Sequence, residues 1–216
     1  MIYGLVLAGG RSSRFGGTDK GLIPFRQKTM ISSVIDTLRP QVNDLIISAN
    51  ANLETYQQFG YSVIPDQTTG FYGPLMGIYS AMRYISDIHF PAAEQVNKAQ
   101  AKINHQPEPV SLLVVPCDMP LLPGNLKDAL LNAQTHSQQI SVVRENHRLQ
   151  PLVLLLPLSH MSQLANYLNE GNHKVTDWVL STNPAICDFT AQSCCFNNIN
   201  SVTELNDAEK RNNANS

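Results

Sequence analysis

Residues 5–21 read LVLAGGRSSRFGGTDKG. The apolar run that leads into this stretch, Ile2–Leu7, is typical of a central parallel strand that is buried on both faces. After Ala8 come two glycines, Gly9 and Gly10, and glycines at that point let backbone N–H groups approach phosphate oxygens. Arg11, Arg14 and Lys20 can neutralise such an anion. The stretch therefore predicts a strand followed by a phosphate-binding loop, with a tight turn carrying solvated basic side chains as the alternative.

The spacing of the glycines narrows the class of nucleotide-binding protein. The loop is neither G-x-x-x-x-G-K-[ST] nor G-x-G-x-x-G, so a P-loop NTPase and a Rossmann dehydrogenase are both disfavoured. The six histidines show no H-E-x-x-H spacing and the four cysteines form no C-x-x-C pair. We therefore expect reduced thiols and no zinc site.

Strands and helices alternate along the rest of the chain. After Ile2–Leu7, apolar runs predict strands at 45–48, 61–64, 111–115, 141–144, 152–156 and 196–199. Helical spacing predicts helices at 28–39, 53–59, 75–88, 126–133, 158–168, 175–180 and 202–210. Residues 87–109 are expected to form a polar surface excursion. This order predicts an α/β fold, a three-layer α/β/α sandwich with a mostly parallel, Rossmann-like sheet.

Length and composition limit the range of functions. A chain of 216 residues suits a single domain spanning 1–216. Hydrophobic residues make up 43% and charged residues 15%, and the formal net charge is -2, which disfavours general attraction to nucleic acid or anionic membranes. No apolar stretch approaches the roughly 18 residues of a membrane helix, and the N-terminal strand lacks the basic leader of a signal peptide. We expect a cytoplasmic protein with no nucleic-acid or membrane partner.

Three polar residues follow predicted strands, at the edge of the sheet where ligands bind in such folds. Asp118 lies in PCDMP at 116–120 after the most apolar interior strand, and a lone carboxylate beside a phosphate site suits Mg²⁺. Asp66, after the strand at 61–64, can accept hydrogen bonds from N1–H and the exocyclic amine of guanine. Asn50 can bond a ribose or a base. Each can equally shape a turn or cap, and these options stay open.

Together these residues resemble the molybdenum cofactor guanylyltransferase family. The resemblance rests on segments that follow one another along nearly the whole chain: LVLAGGRSSRFGGTDKG at 5–21, IISAN at 46–50, VIPD at 63–66, GPLMG at 73–77, PCDMP at 116–120 and FNNINSVTEL at 196–205. It implies transfer of GMP from GTP to the phosphate of the molybdenum–molybdopterin cofactor, with Mg²⁺ as cofactor and pyrophosphate as the leaving group.

The resemblance also implies roles for individual residues. Those implied to bind GTP are Leu7, Ala8, Gly9, Gly10, Lys20, Asn50, Asp66 and Asp118. Those implied to be catalytic are Arg14, Lys20 and Asp118, and Asp118 is also the implied metal ligand. The nucleotide-binding half would span about 1–120 and the acceptor-binding half about 121–210, where Asn198, Asn200 and the segment 170–174 are implied to bind the pterin. An arginine pair common in the family is replaced here by Asn172-His173-Lys174, and the excursion at 87–109 is longer than usual.

Two other functions remain open at this stage. One is a related enzyme, such as a molybdenum cofactor cytidylyltransferase or another nucleotidyltransferase of the same superfamily. The other is a non-catalytic, nucleotide-binding regulator. The family resemblance further implies partners beyond GTP and molybdopterin, namely other proteins of molybdenum-cofactor biosynthesis and the apo-proteins of molybdoenzymes.

Overall fold

The computed structural model describes residues 1–8, 19–67, 73–89, 109–189 and 195–213, the side chains of 202 and 209–213 excepted. The strands of the main sheet are β1 (Ile2–Leu7), β4 (Asp44–Ser48), β5 (Ser62–Ile64), β6 (Ser111–Pro116), β7 (Ser141–Glu145), β8 (Arg148–Pro157) and β9 (Ala185–Asp188). Their order across the sheet is β5-β4-β1-β6-β8-β7-β9. A separate antiparallel hairpin pairs β2 (Pro24–Phe25) with β3 (Lys28–Thr29).

Most neighbouring strands run parallel. β1 pairs in parallel with β4 and β6, β4 with β5, and β7 with β9. Only β8 runs against its neighbours β6 and β7 in the described sheet. The carboxyl ends of β1, β4, β5 and β6 consequently meet at one edge, which confirms the mostly parallel sheet expected from the alternation of elements.

Helices cover both faces of the sheet. They are α1 (Met30–Leu38), α2 (Leu53–Gln57), α3 (Pro74–His89), α4 (Leu126–Ala133), α5 (Met161–Asn169), α6 (Val175–Ser181) and α7 (Val202–Asn213). Apolar residues of α1, α2 and α4 form one buried cluster with the sheet, and those of α3, α5 and α6 form the other. Successive β1 residues alternate between the two, since Val6 joins the first cluster and Leu5 and Leu7 the second. The three-layer sandwich is therefore confirmed.

The structure differs from the predicted elements at the last predicted strand and at the start of the first helix. Residues 196–199 are not a strand, and the strand of this region is β9. α1 begins at Met30 rather than at residue 28, because Lys28–Thr29 pairs in the hairpin and the Thr29 side chain caps the helix by accepting from Ser32 N. None of the helices in the described ranges has the length and apolarity to cross a membrane.

Candidate active site

The ends of β1, β4, β5 and β6 are joined by backbone hydrogen bonds that extend the strand pairing. Ala8 N donates to Ser48 O over 2.8 Å, and Cys117 N donates to Leu7 O over 3.0 Å. Leu7 and Ala8 are buried. These bonds hold the residues that follow each strand, Asn50, Asp66 and Asp118 among them, at the same edge of the sheet.

Lys20 lies at the centre of this edge. Its Nζ donates to Asp118 Oδ2 over 3.2 Å and to Asn200 Oδ1 over 2.5 Å. The backbone N–H of Ile199 donates to Asp118 O over 2.9 Å. Two residues predicted to bind GTP and one predicted to bind the acceptor therefore form a single cluster.

The carboxylate of Asp118 is buried and only partly satisfied. The residue is 7% exposed, and its Oδ1 accepts no hydrogen bond from the residues that the structure describes. Burial raises the pKa of this carboxyl, and the nearby Lys20 ammonium partly offsets the effect. A buried carboxylate oxygen without a donor is a suitable ligand for a hard cation, which takes one or two carboxylates together with phosphate oxygens. Asp118 thus fits a Mg²⁺ site.

A tight turn presents Lys20 to the cluster. Lys20 begins a short 3-10 turn that ends at Leu22, and the Asp19 side chain caps it by accepting from Gly21 N over 3.3 Å. A Cβ at Gly21 would lie 2.8 Å from the hydroxyl oxygen of Tyr56, so a larger residue does not fit without displacing that ring. Glycine is needed here for close packing, and its place in the motif has a structural reason.

Cys117, next to Asp118, offers no nucleophile. Its side chain is buried, and burial together with the charge of Asp118 raises the pKa of the thiol well above its ordinary value. The residue is therefore a neutral thiol near neutral pH, and thiolates rather than thiols are nucleophilic. Nothing about this cysteine suggests a covalent intermediate.

Asn50 and Asp66 hold each other in place. Asn50 Nδ2 donates to Asp66 Oδ2 over 2.8 Å, and Asp66 N donates to Asn50 Oδ1 over 2.8 Å. Partial burial raises the pKa of the Asp66 carboxyl, and the hydrogen bond from Asn50 lowers it. The pairing fixes the direction of the carboxylate at the end of β5. Four other loop residues of interest, Gly9, Gly10, Arg11 and Arg14, lie outside the described residues.

A cavity of about 410 Å³ opens beside the Lys20 cluster. Its lining includes Pro116 of β6, Arg148 and Gln150 of β8, Asn198, Asn200 and Glu204. The segment 170–174 is not part of this lining.

Sequence reasoning missed three of the residues in this lining. Glu204 could have been found, because Ser201 and Glu204 form the S-x-x-E pattern of a helix cap. In the structure Glu204 N donates to Ser201 Oγ over 3.2 Å. Arg148 and Gln150 belong to no recognisable sequence motif. They reach the cavity because β8 pairs antiparallel with β6.

An α/β sheet of this order, with a lysine–aspartate pair at the carboxyl ends of its parallel strands and a cavity alongside, is that of a nucleotidyltransferase. The family of MobA-like NTP transferase domains matches residues 4–183, and the chain belongs to this family.

Individual relatives agree with the family. The chain is 36% identical over 201 residues to the molybdenum cofactor guanylyltransferase of Shewanella sediminis (strain HAW-EB3), covering 93% of this chain and 91% of the relative. It is 36% identical over 200 residues to the protein of the same name from Shewanella piezotolerans (strain WP3 / JCM 13877), covering 92% and 87%.

Solved structures share the fold at lower identity. The molybdopterin-guanine dinucleotide biosynthesis protein A of Archaeoglobus fulgidus superposes with a TM-score of 0.72 at 19% identity, covering 98% of this chain and 99% of that one. A nucleotidyl transferase from Methanothermobacter thermautotroptrophicus superposes with a TM-score of 0.70 at 13% identity, covering 100% and 99%. At these identities the likeness concerns the fold alone.

Proposed function

We propose that this chain transfers GMP from GTP to the terminal phosphate of the molybdenum–molybdopterin cofactor, forming molybdopterin guanine dinucleotide and releasing pyrophosphate. The observation that carries the proposal is the buried Asp118 carboxylate beside Lys20, at the border between the strand ends and the cavity lined by Asn198 and Asn200. In this position Asp118 and Lys20 can contact the triphosphate of GTP at the strand ends and the acceptor phosphate in the cavity. The choice of GTP and the molybdenum cofactor as substrates is supported by the relatives named molybdenum cofactor guanylyltransferase.

Asp118 is the proposed ligand of Mg²⁺, through the oxygen that has no donor among the described residues. When bound, the cation would neutralise charge on the phosphate oxygens and orient the α-phosphate for in-line attack. Lys20 is proposed to bind the phosphates by hydrogen bonds donated from its ammonium group. Arg14, Gly9 and Gly10, although outside the described residues, belong to the same proposed phosphate site.

The nucleoside is proposed to bind at the ends of β1, β4 and β5. Leu7 and Ala8 contribute backbone groups, and Asp66 accepts from N1–H and the exocyclic amine of guanine. Asn50 donates to one carboxylate oxygen of Asp66, which orients the carboxylate and still leaves lone pairs on both oxygens for the two donors of guanine. Specificity for guanine follows, because adenine lacks this pair of donors.

No strong general base is required. The attacking phosphate of the acceptor is already an anion near neutral pH, so positioning and charge neutralisation suffice for transfer. A lysine and a carboxylate suit this chemistry, and Cys117, a buried neutral thiol, takes no part in it.

The acceptor is proposed to occupy the cavity of about 410 Å³, with Asn198 and Asn200 as pterin-binding residues and Arg148 as a further cationic contact. The chain would act as one domain, 1–216, with its nucleotide-binding half at about 1–120 and its acceptor-binding half at about 121–210. β7 and β8 belong to the second half, and β8 lies directly beside β6, an arrangement that would bring the two substrates together.

Cytoplasmic action is part of the proposal, as is contact with other proteins of cofactor biosynthesis and with apo-molybdoenzymes. Among the residues that the structure describes, Cys117 and Cys187 are free thiols, as is usual in a reducing compartment.

Pyrophosphate release with GTP, CTP, ATP or UTP, in the presence of purified molybdopterin and Mg²⁺, tests the function. We expect release with GTP and formation of the guanine dinucleotide. A preference for CTP would instead identify a cytidylyltransferase. Nucleotide binding without release from any donor would identify a regulator and overturn the proposal.

A further inference from the structure

Lys20 is held from two sides, by Asp118 and by Asn200. Its side chain is 25% exposed and that of Asp118 10%, so the pair lies largely out of water. Asn200 Oδ1 accepts from the same ammonium group over 2.5 Å. Because an ammonium group only donates, the oxygen rather than the nitrogen of the Asn200 amide must face it.

Asn200 is itself fixed by its surroundings. Its backbone N donates to Glu204 Oε2 over 2.6 Å, and Glu204 belongs to the cap of α7. Its Nδ2 donates to Asn198 O over 3.4 Å. The neighbouring Ile199 is buried and tied to Asp118 through its backbone N–H. The helix cap therefore fixes the backbone of Asn200, and the bond from Nδ2 to Asn198 O leaves the amide oxygen directed at Lys20.

Asn198 has a different environment, although it is the same residue type two positions earlier. Its side chain is exposed and lines the cavity, whereas Asn200 is half-buried between the cavity and Lys20. The two asparagines flank Ile199 in the sequence, and Ile199 is buried. Their spacing alone suggests one shared role, but the structure gives them different neighbours.

We propose that Asn200 is a positioning residue for Lys20, whose ammonium it shares with Asp118 and holds ready for the phosphates of GTP. A lysine bound only by Asp118 would pair fully with the carboxylate that is proposed to bind the metal. The neutral amide oxygen of Asn200 attracts the Lys20 ammonium toward the acceptor side, so that the ammonium pairs less fully with the Asp118 carboxylate that is proposed to bind Mg²⁺. The inference rests on the proposed function, and it gives part of the acceptor-binding half a contribution to GTP affinity.

Calorimetric titration of the full-length chain with GTP and Mg²⁺, without acceptor, tests this. Asn200→Ala should weaken GTP binding by about tenfold, the order expected from losing one hydrogen bond to a charged group, and Asn198→Ala should bind GTP as the unchanged protein does. In turnover assays Asn198→Ala should raise the KM for molybdopterin, while Asn200→Ala should lower kcat.

A double-mutant cycle separates positioning from a merely structural role. Adding Asn200→Ala to Lys20→Ala should cause no further loss of GTP affinity, because the residue to be positioned is gone. If Asn200→Ala does not fold by circular dichroism, Asn200→Ser replaces it, since the shorter side chain cannot reach Nζ.

Normal GTP affinity in a folded Asn200 variant, or independent effects of Lys20 and Asn200 in the cycle, would overturn the inference and leave the proposed function intact. Absence of GTP binding in the unchanged chain would instead overturn the proposed function.

Discussion

Replacing Asp118 by asparagine keeps the shape of the side chain and removes its charge. Lys20 Nζ, which now donates to Oδ2 over 3.2 Å, can still donate to an amide oxygen. The property that is lost is the negative charge proposed to bind Mg²⁺. We expect turnover to fall by roughly 10²–10³-fold, or about 2.7–4 kcal/mol of transition-state stabilisation. GTP affinity should fall much less, because the contacts to Asp66 and to the backbone remain.

The effect of the same change on stability should be small or favourable. Burial raises the pKa of the Asp118 carboxyl in the folded chain, so folding disfavours the ionised form. The free energy of unfolding of the unchanged protein therefore falls as the pH rises from the ordinary pKa of the carboxyl through the raised one. Asp118→Asn lacks this loss, and at neutral pH it should melt at the same temperature as the unchanged protein or higher.

A purely structural ion pair would behave in the opposite way. Removing one partner of a buried pair typically costs about 3–5 kcal/mol of stability, and catalysis would suffer only through unfolding. Asp118→Asn would then unfold at lower temperature, while the folded fraction kept normal turnover.

Two measurements decide between these outcomes: pyrophosphate release as a function of Mg²⁺ concentration, and thermal unfolding without ligands. Asp118→Ala should resemble the asparagine variant in turnover. The matched control is Asp128→Asn, on the exposed surface of α4 beside Lys127, which should change neither quantity. Normal turnover and unchanged Mg²⁺ dependence in Asp118→Asn would show that Asp118 only shapes a turn.

Three further changes test the rest of the site. Lys20→Ala should lower turnover by roughly 10²-fold, since it removes a donor aimed at phosphate charge; a folded variant with normal pyrophosphate release would remove Lys20 from the proposed site. Gly77→Ala should destabilise the fold by about 1–3 kcal/mol, because its Cβ would overlap Ser48 Oγ, and Ser48→Ala should restore much of the melting temperature. Asn50→Ala removes the hydrogen bond that lowers the pKa of Asp66, so the pH below which GTP affinity is lost should rise relative to the unchanged protein in paired titrations.

Much of the fold could be predicted because the central strands are buried on both faces. Ile2–Leu7 and Ser111–Pro116 consist mainly of apolar residues, and two residues after each of them stands a residue that the motifs single out, Gly9 or Asp118. The register of long amphipathic helices such as Pro74–His89 is equally visible in the sequence. Local patterns suffice for such elements, because burial of a whole face requires a continuous apolar signal.

The edge strand β9 could not be predicted in the same way. Ala185–Asp188 is four residues long with only Ala185 and Cys187 buried, and its partner β7 lies more than forty residues earlier, joined through Arg144 and Asp188. Conversely, 196–199 has an apolar residue at each end yet forms no strand. Its backbone is held instead by the Glu145 carboxylate, which accepts from Phe196 N and from the preceding Cys195 N, and by Asp118 O, which accepts from Ile199 N.

The sequence by itself determined which chemical groups follow the strands, because the carboxyl ends of parallel strands must meet at one edge of the sheet. It placed Lys20, Asp66 and Asp118 at that edge. Only the tertiary structure decided which of these groups touch. Lys20 and Asn200 are 180 residues apart along the chain, and no local pattern encodes a contact over that distance. The contact exists because the helix cap at Glu204 and the hydrogen bond from Ile199 to Asp118 fix the last loop against the sheet.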